Sequence, residues 1–174
     1  LGSAAWCGID TGKAASASLW YRSPARTVAF TFEDRLRSDA AATVAALRAG
    51  GFRVLLLSGD RSAAVAAAAE AAGIEDWTAE LKPDGKIARL AALKAEGARV
   101  LMVGDGLNDA PALAAAHASI SPSSAADISQ TASDAVFQGQ HLGAVVELLA
   151  VARKARRMAF ENFAIAFGYN LLFV

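Results

Sequence analysis

The stretch that decides the fold reads Arg99-Val100-Leu101-Met102-Val103-Gly104-Asp105-Gly106-Leu107-Asn108-Asp109-Ala110-Pro111-Ala112-Leu113. Its apolar run from Val100 to Val103 has no alternating polar residues, which is typical of a strand that is buried on both faces. A loop rich in Gly and Asp follows this run, and the spacing then predicts a short helix over 108–116. The stretch is therefore a strand, a polar loop and a helix.

The same unit recurs on the amino-terminal side of this stretch. An apolar strand over 53–57 is followed by the loop Ser58-Gly59-Asp60 and by a helix over 62–72 that Gly73 closes. Further strands are predicted over 28–32, 78–81, 118–121 and 135–137, with helices from Asp39 to Gly50, from Lys82 to about Glu96 and from His141 onward. Apolar strands that alternate with helices predict an α/β fold with a doubly wound parallel sheet.

Composition excludes several classes of function. The 174 residues carry 17 Lys+Arg against 17 Asp+Glu, so no basic field attracts nucleic acid, and 55% of the residues are hydrophobic, which argues against disorder. The single cysteine, Cys7, rules out an internal disulfide framework. Cys7, His117 and His141 show no metal-ligand spacing, so we assign them no metal-binding role.

Chemistry in an open α/β sheet is expected beyond the carboxyl ends of its strands. The loops to consider are therefore those after Phe32, Leu57 and Val103. The last of them holds Asp105 and Asp109, and carboxylate oxygens at a strand end suit Mg²⁺, which is usually shared with a phosphate group. A solvated turn that caps a helix is the alternative interpretation of such a loop.

The string over 104–113 resembles the hinge motif of P-type cation-transporting ATPases, whose phosphorylation domain has a haloacid-dehalogenase-like fold. Ser58-Gly59-Asp60 resembles the family's phosphate-binding motif, and Lys82-Pro83-Asp84-Gly85-Lys86 resembles its Pro-x-x-Lys segment. Asp34-Arg35-Leu36-Arg37 resembles the loop where the chain re-enters the phosphorylation domain. The resemblance covers roughly residues 28 to 174.

The resemblance implies a set of site residues. A cation at Lys86, the hydroxyl and amides at Ser58-Gly59, and Mg²⁺ held by Asp105 would neutralise a phosphoryl group in transfer, while Asp109 would orient metal-bound water or fix the loop. The expected catalytic residues are Ser58, Lys86, Asp105 and Asp109, with Mg²⁺ at Asp105 and Asp109. The expected cofactor-binding residues, with ATP as substrate, are Asp34, Arg37, Gly59, Asp60, Gly104, Gly106 and Asn108.

One departure from the family pattern concerns the nucleophile. The family's phosphorylated aspartate lies in Asp-Lys-Thr-Gly-Thr, and the sequence contains no such string. The expected organisation is a remnant of the nucleotide-binding domain over 1–25, an incomplete phosphorylation domain over 26–140, a basic connecting helix over 141–161 and the start of a transmembrane helix over 162–174. We expect the nucleophile upstream in the same chain, and we expect these 174 residues alone neither to hydrolyse ATP nor to form a phosphoenzyme.

The last residues of the sequence raise the question of a membrane helix. A basic cluster of Arg153, Lys154, Arg156 and Arg157 precedes 13 uncharged residues, 162–174. Thirteen residues are too few to span a bilayer, so a buried helix is one interpretation, while the basic flank favours the start of a cytoplasmic-side membrane helix. Within this run Tyr169 and Asn170 resemble the Tyr-Asn pair that helps form the transported-ion site of copper pumps.

The leading hypothesis is thus a segment of a heavy-metal P-type ATPase that exports Cu⁺ through an aspartyl-phosphate intermediate. The resemblance implies membrane lipid as a partner, a multi-pass location in the bacterial inner membrane, and a cytoplasmic position for the α/β domain. The resemblance is greatest for the copper exporters associated with assembly of cbb-type cytochrome oxidase. A soluble phosphatase of the same fold and a non-catalytic binding module derived from it are the alternatives.

Overall fold

The computed structural model describes residues 2, 6–8, 17–32, 35–105, 107–125, 127–139 and 141–173. The chain divides into two compact units, residues 1–36 and residues 37–174. In the first unit, β1 (Ala17–Arg22) and β2 (Thr27–Phe32) form an antiparallel hairpin. The sequence instead predicted the strand over 28–32 to be the first strand of the parallel repeat. That part of the prediction is wrong, because the short link between β1 and β2 allows only antiparallel pairing.

The second unit alternates helices and strands in the order that the sequence predicted. Its elements are α1 (Ala40–Ala49), β3 (Leu55–Leu57), α2 (Ser62–Ala72), β4 (Asp76–Thr78), α3 (Pro83–Ala95), β5 (Leu101–Val103), a 3₁₀ turn (Leu107–Asp109), α4 (Ala110–Ala115), β6 (Ala118–Pro122), α5 (Asp127–Ala132), β7 (Ala135–Phe137) and α6 (Gly143–Phe173).

All strand pairs of this second unit are parallel among the described residues. β3 pairs with β4, and a separate sheet has the order β5-β6-β7. The parallel sheets and their intervening helices confirm the predicted α/β class.

Strand β4 lies earlier in the chain than the predicted strand over 78–81. Glu80 has a φ of 56°, which a β-strand does not adopt, and the amide of Leu81 donates a hydrogen bond to the carbonyl oxygen of Ser58 at 3.0 Å. The segment after Thr78 is therefore a turn that passes the end of β3.

Successive residues of β5 pack into two different apolar clusters. Met102 joins Leu90, Ala112 and Leu113, whereas Leu101 packs against the cluster of Ile120, Phe137 and Val145. The first cluster draws on α3 and α4 and the second on α6, so helices cover both faces of the β5-β6-β7 sheet. This explains why β6 is almost continuously apolar or small, with Ser119 and Ser121 buried inside it.

Helix α6 is 31 residues long, and the exposure of its side chains differs along its length. Val145 near its start is 3% exposed, whereas the large apolar side chains beyond Arg153 are exposed, among them Met158, Phe160, Phe163, Ile165, Phe167 and Leu171. Among the residues that the structure describes, no helix combines the length and the apolar character that a membrane crossing requires.

Candidate phosphoryl and magnesium site

The carboxyl ends of β5, β6 and β7 form one wall of an open pocket. Parallel pairing brings Val103 beside Ile120 and Pro122 beside Phe137, so these strand ends lie at the same edge of the sheet. The pocket has a volume of about 210 Å³ and is lined by Arg37, Val103, Gly104, Asp105, Asp109, Pro122, Phe137 and Leu142. Four of the sequence-predicted site residues therefore meet here: Arg37, Gly104, Asp105 and Asp109.

Lys86 reaches this site through an ion pair with Asp109. Its Nζ lies 2.5 Å from Asp109 Oδ1, and the two side chains are only 12% and 15% exposed. Lys86 lies in the first turns of α3, whose start is fixed by Pro83 at a position that suits proline. The pair joins α3 to the loop after β5 and holds a positive charge beside the pocket.

Gly104 is required by the close approach of Asp109. A Cβ atom on Gly104 would lie 2.9 Å from the Cβ of Asp109, a distance that real Cβ atoms do not tolerate. The Gly104 amide donates to the carbonyl oxygen of Ile120 at 3.2 Å, which continues the β5-β6 pairing by one residue. The glycine thus lets the Asp109 carboxylate fold back over the end of β5.

The Ser58-Gly59-Asp60 loop forms its own turn at the end of β3. The Ser58 hydroxyl donates to Asp60 Oδ2 at 2.8 Å and accepts from the Asp60 amide at 3.1 Å. A Cβ on Gly59 would lie 3.1 Å from the carbonyl oxygen of Leu81, so this turn also packs closely against the backbone before α3. These three residues do not line the pocket that contains Asp105.

The remaining predicted site residues lie elsewhere. Asn108 is exposed in the 3₁₀ turn, and Asp34 and Gly106 lie outside the described residues. Tyr169 is 62% exposed on α6, and Asn170 donates from its side-chain amide to the carbonyl oxygen of Ala166, one helical turn earlier, at 2.8 Å. His117, to which we assigned no metal role, accepts from the Val100 amide through Nδ1 at 3.1 Å.

Pro122, Phe137 and Leu142 also line the pocket, although the sequence did not predict them as site residues. Pro122 and Phe137 are the last residues of β6 and β7. The rule that ligands bind at the carboxyl ends of strands points to both, although the predicted site included only the loops after Phe32, Leu57 and Val103. Leu142 carries no comparable sequence signal, because its place depends on how α6 packs.

The donor set of the pocket suits Mg²⁺. No group of three or more His, Cys, Asp or Glu side chains that could hold a metal ion occurs in the described part of the chain. Mg²⁺ is commonly bound by one or two carboxylates together with waters and phosphate oxygens, so it does not need a group of three protein ligands. Asp105, exposed at the pocket, and Asp109 supply two carboxylates of the required kind.

Comparison with known proteins agrees with this fold. The family model described as "haloacid dehalogenase-like hydrolase" matches residues 7–117, and the chain belongs to this family. Within the family, the relatives of this chain include P-type ATPases that transport metal cations.

Two curated relatives and one solved structure illustrate the relationship. The nitrogen fixation protein FixI of Bradyrhizobium diazoefficiens is 53% identical over 139 residues, which cover 80% of this chain and 19% of that protein. The probable copper-transporting ATPase SynA of Synechococcus elongatus is 36% identical over 167 residues, 94% of this chain and 21% of that protein. The chain therefore spans about a fifth of the length of these relatives.

The solved structure is a zinc-transporting PIB-type ATPase in the E2.Pi state. It superposes with a TM-score of 0.78 and 34% sequence identity, covering 83% of this chain and 24% of that one. The predicted kinship with heavy-metal P-type ATPases is confirmed.

Proposed function

We propose that this chain supplies most of the phosphorylation domain of an ATP-driven heavy-metal pump that exports Cu⁺ through an aspartyl-phosphate intermediate. The observation that carries the proposal is the pocket at the β5-β6-β7 edge. It combines two carboxylates, Asp105 and Asp109, with Arg37 in its lining and with Lys86 against Asp109. Carboxylates for a metal ion and cations for phosphate oxygens are the parts that phosphoryl transfer requires.

Each predicted site residue, in the pocket or near it, has a distinct role in this proposal. Asp105 and Asp109 hold Mg²⁺, which when bound neutralises charge on phosphoryl oxygens. Lys86 offers a cation that is already desolvated, so its attraction for a phosphoryl group is greater than that of a surface lysine. Ser58 and Gly59 offer a hydroxyl and amides from the end of β3, and the nucleophile comes from an Asp-Lys-Thr-Gly-Thr segment outside these 174 residues.

Copper as the cargo is supported by the resemblance of Tyr169 and Asn170 to the copper-pump pair and by the relative named as a probable copper-transporting ATPase. Zinc is the competing ion, because the superposed structure is that of a zinc-transporting ATPase. A transport assay with each ion in turn distinguishes them.

A membrane location is supported by the second half of α6. Its apolar side chains from Met158 to Leu171 are exposed, and Arg153, Lys154, Arg156 and Arg157 precede them. In the proposal, this half continues into a membrane helix of the bacterial inner membrane, the cations lie on the cytoplasmic side, and lipid covers the apolar residues.

A titration followed by NMR tests the pocket in the 174-residue chain. Addition of Mg²⁺ with inorganic phosphate is expected to shift the amide signals of residues 103–109 and Arg37, and Asp105→Asn is expected to abolish the response. Asp127→Asn, which removes an exposed carboxylate from the first turn of α5, serves as the matched control. A response that survives Asp105→Asn contradicts the proposed metal site.

Activity measurements test the rest of the proposal. The purified chain is expected to release no phosphate from ATP above background, whereas a longer protein that includes Asp-Lys-Thr-Gly-Thr is expected to show Cu⁺-stimulated hydrolysis that Asp105→Asn eliminates. Steady phosphate release by the 174 residues, lost in Asp105→Asn, would instead identify a soluble phosphatase.

A further inference from the structure

Asp39 joins two parts of the chain that are far apart in sequence. It directly precedes α1, and its Oδ2 accepts a hydrogen bond at 2.9 Å from the amide of Gly143, the first residue of α6, 104 positions away. The side chain is 22% exposed, and its Oδ1 is buried without a hydrogen-bond partner among the described residues. The carboxylate therefore satisfies one of the amides that the start of a helix leaves unbonded.

Both ends of this hydrogen bond adjoin the pocket. Arg37 lies two residues before Asp39, and Leu142 lies one residue before Gly143; both side chains line the pocket that contains Asp105. The Asp39 carboxylate links these two segments, because its Oδ2 accepts from the Gly143 amide and also lies near the His141 side chain.

The same hydrogen bond fixes the start of α6 against α1. At the other end of α1, Arg153 donates through Nη2 to the carbonyl oxygen of Gly50 at 3.2 Å, and its guanidinium lies 4.8 Å from the centre of the Phe52 ring. That second contact is exposed, so solvent weakens it. The Asp39 contact is partly buried, and its negative charge also lies at the positive end of the helix dipole.

His141 is the other charged neighbour of this carboxylate. Its Nδ1 lies 3.8 Å from Asp39 Oδ2, and its side chain is 77% exposed. The hydrogen bond from the Gly143 amide is shorter, at 2.9 Å, and is partly buried, so it is the contact that defines the geometry.

We propose that Asp39 is a positioning residue that holds Arg37 and Leu142 in place at the pocket and at the same time sets the direction in which α6 leaves the domain. The proposal rests on the proposed function, in which this pocket takes a phosphoryl group with Mg²⁺. One hydrogen bond holds both the pocket residues and the start of α6. A ligand that moves Arg37 or Leu142 therefore also changes the direction of α6, and a change in the direction of α6 likewise changes ligand binding at the pocket.

Hydrogen exchange of the 174-residue chain tests the hydrogen bond directly. Asp39→Ala is expected to accelerate exchange of the Gly143 amide about tenfold, the size of effect that follows from loss of a helix cap. Asp39→Asn keeps an acceptor oxygen and is expected to restore most of the protection. Asp127→Ala is the matched control, since it removes an exposed carboxylate from the first turn of another helix and is expected to leave Gly143 unchanged.

Two further measurements separate positioning from simple stabilisation. Spin labels are attached at Ala45→Cys on α1 and at Ala155→Cys on α6, both exposed positions, in a Cys7→Ser background. The distance between the two labels reports how α6 is oriented relative to α1. Asp39→Ala is expected to broaden this distance distribution and to weaken binding of Mg²⁺ with inorganic phosphate several-fold, and Asp39→Asn is expected to reverse both changes. Urea unfolding of each variant shows whether global stability alone accounts for them.

The outcomes distinguish the two proposals. Unchanged exchange at Gly143 in Asp39→Ala overturns the positioning role, and so does faster exchange with an unchanged spin-label distance. A wild-type chain whose pocket does not respond to Mg²⁺ and phosphate contradicts the proposed function instead, while the exchange and spin-label results, which need no ligand, still decide the role of Asp39.

Discussion

The Lys86–Asp109 pair is the ion pair on which the geometry of the pocket depends most. Its side chains are 12% and 15% exposed, against 81% and 55% for the Arg157–Glu161 pair on α6. A nearly buried pair contributes little net stability when whole, yet the loss of one partner leaves a charge without compensation. Without a ligand, Lys86 and Asp109 therefore compensate each other's charge.

Replacement of Lys86 by Met is expected to lower the free energy of unfolding by about 3 kcal/mol, because Asp109 then remains charged in a poorly hydrated place. Urea unfolding measures the loss. The matched control Arg157→Gln breaks an exposed pair and is expected to cost about 0.5 kcal/mol or less. Equal losses of unfolding free energy in the two variants would contradict the expectation that a buried ion pair is costlier to break than an exposed one.

Gly104→Ala is expected to destabilise the chain by about 1–3 kcal/mol, because the added methyl group displaces the Asp109 side chain. Thermal unfolding measures this effect, and the Mg²⁺ titration is expected to weaken along with it. Gly168→Ala is the control, since nothing lies within 4 Å of a Cβ at that position of α6. Alanine is the better helix former, so this control is expected to be neutral or slightly stabilising.

Among the elements, α6 combines two different environments in one helix. Its start packs through Val145, Leu148 and Leu149 against β6 and β7, whereas the large apolar side chains of its second half are exposed. Helices in water owe most of their stability to tertiary packing. The two halves must therefore differ in local stability.

Amides over 144–150 are expected to exchange with solvent at least about 100-fold more slowly than those over 158–170, because local opening is easier where no side chain is buried. Hydrogen exchange resolved by residue measures the difference. Addition of phospholipid vesicles is expected to slow exchange over 158–170 alone, and uniform protection along α6 in water would contradict the assignment of two environments.

Sequence periodicity predicted the elements of the second unit well, because apolar runs and Gly or Pro punctuation are local signals. It failed at β2, since pairing direction depends on the neighbouring strand, and at β4, where the positive φ of Glu80 ends the strand early. Motif resemblance led to Asp105, Asp109 and Arg37, which share a pocket. Leu142 and the cap at Asp39 could not be foreseen, because both depend on the packing of α6 against α1.

For the molecule as a whole, the parallel strands form two sheets without a strand between them in the described residues. Among the described residues, β3 pairs only with β4 and β5 only with β6, and Leu55–Leu57 are not fully buried. Unpaired edges of apolar strands are sites for association. Within the described residues, β3 and β5 therefore each keep one edge that a further strand could pair with.

A chain extended to include a strand ending in Asp-Lys-Thr-Gly-Thr is expected to have a Tm about 5–10 °C higher than the 174 residues, since a few kcal/mol correspond to that shift at this size. Differential scanning calorimetry makes the comparison, with a scrambled strand of the same composition as control. An equal gain from the scrambled strand would show that pairing is not specific.

The one-sided attachment of α6 has a mechanical consequence. From Arg153, which contacts Gly50 just after α1, to Phe173 the helix continues for 20 further residues, about 30 Å at about 1.5 Å per residue. An arm of that length converts a pivot of about 10° at its base into a displacement of about 5 Å at its tip. Rearrangements too small to open the pocket visibly would still swing the far end of the helix by more than the width of a water molecule.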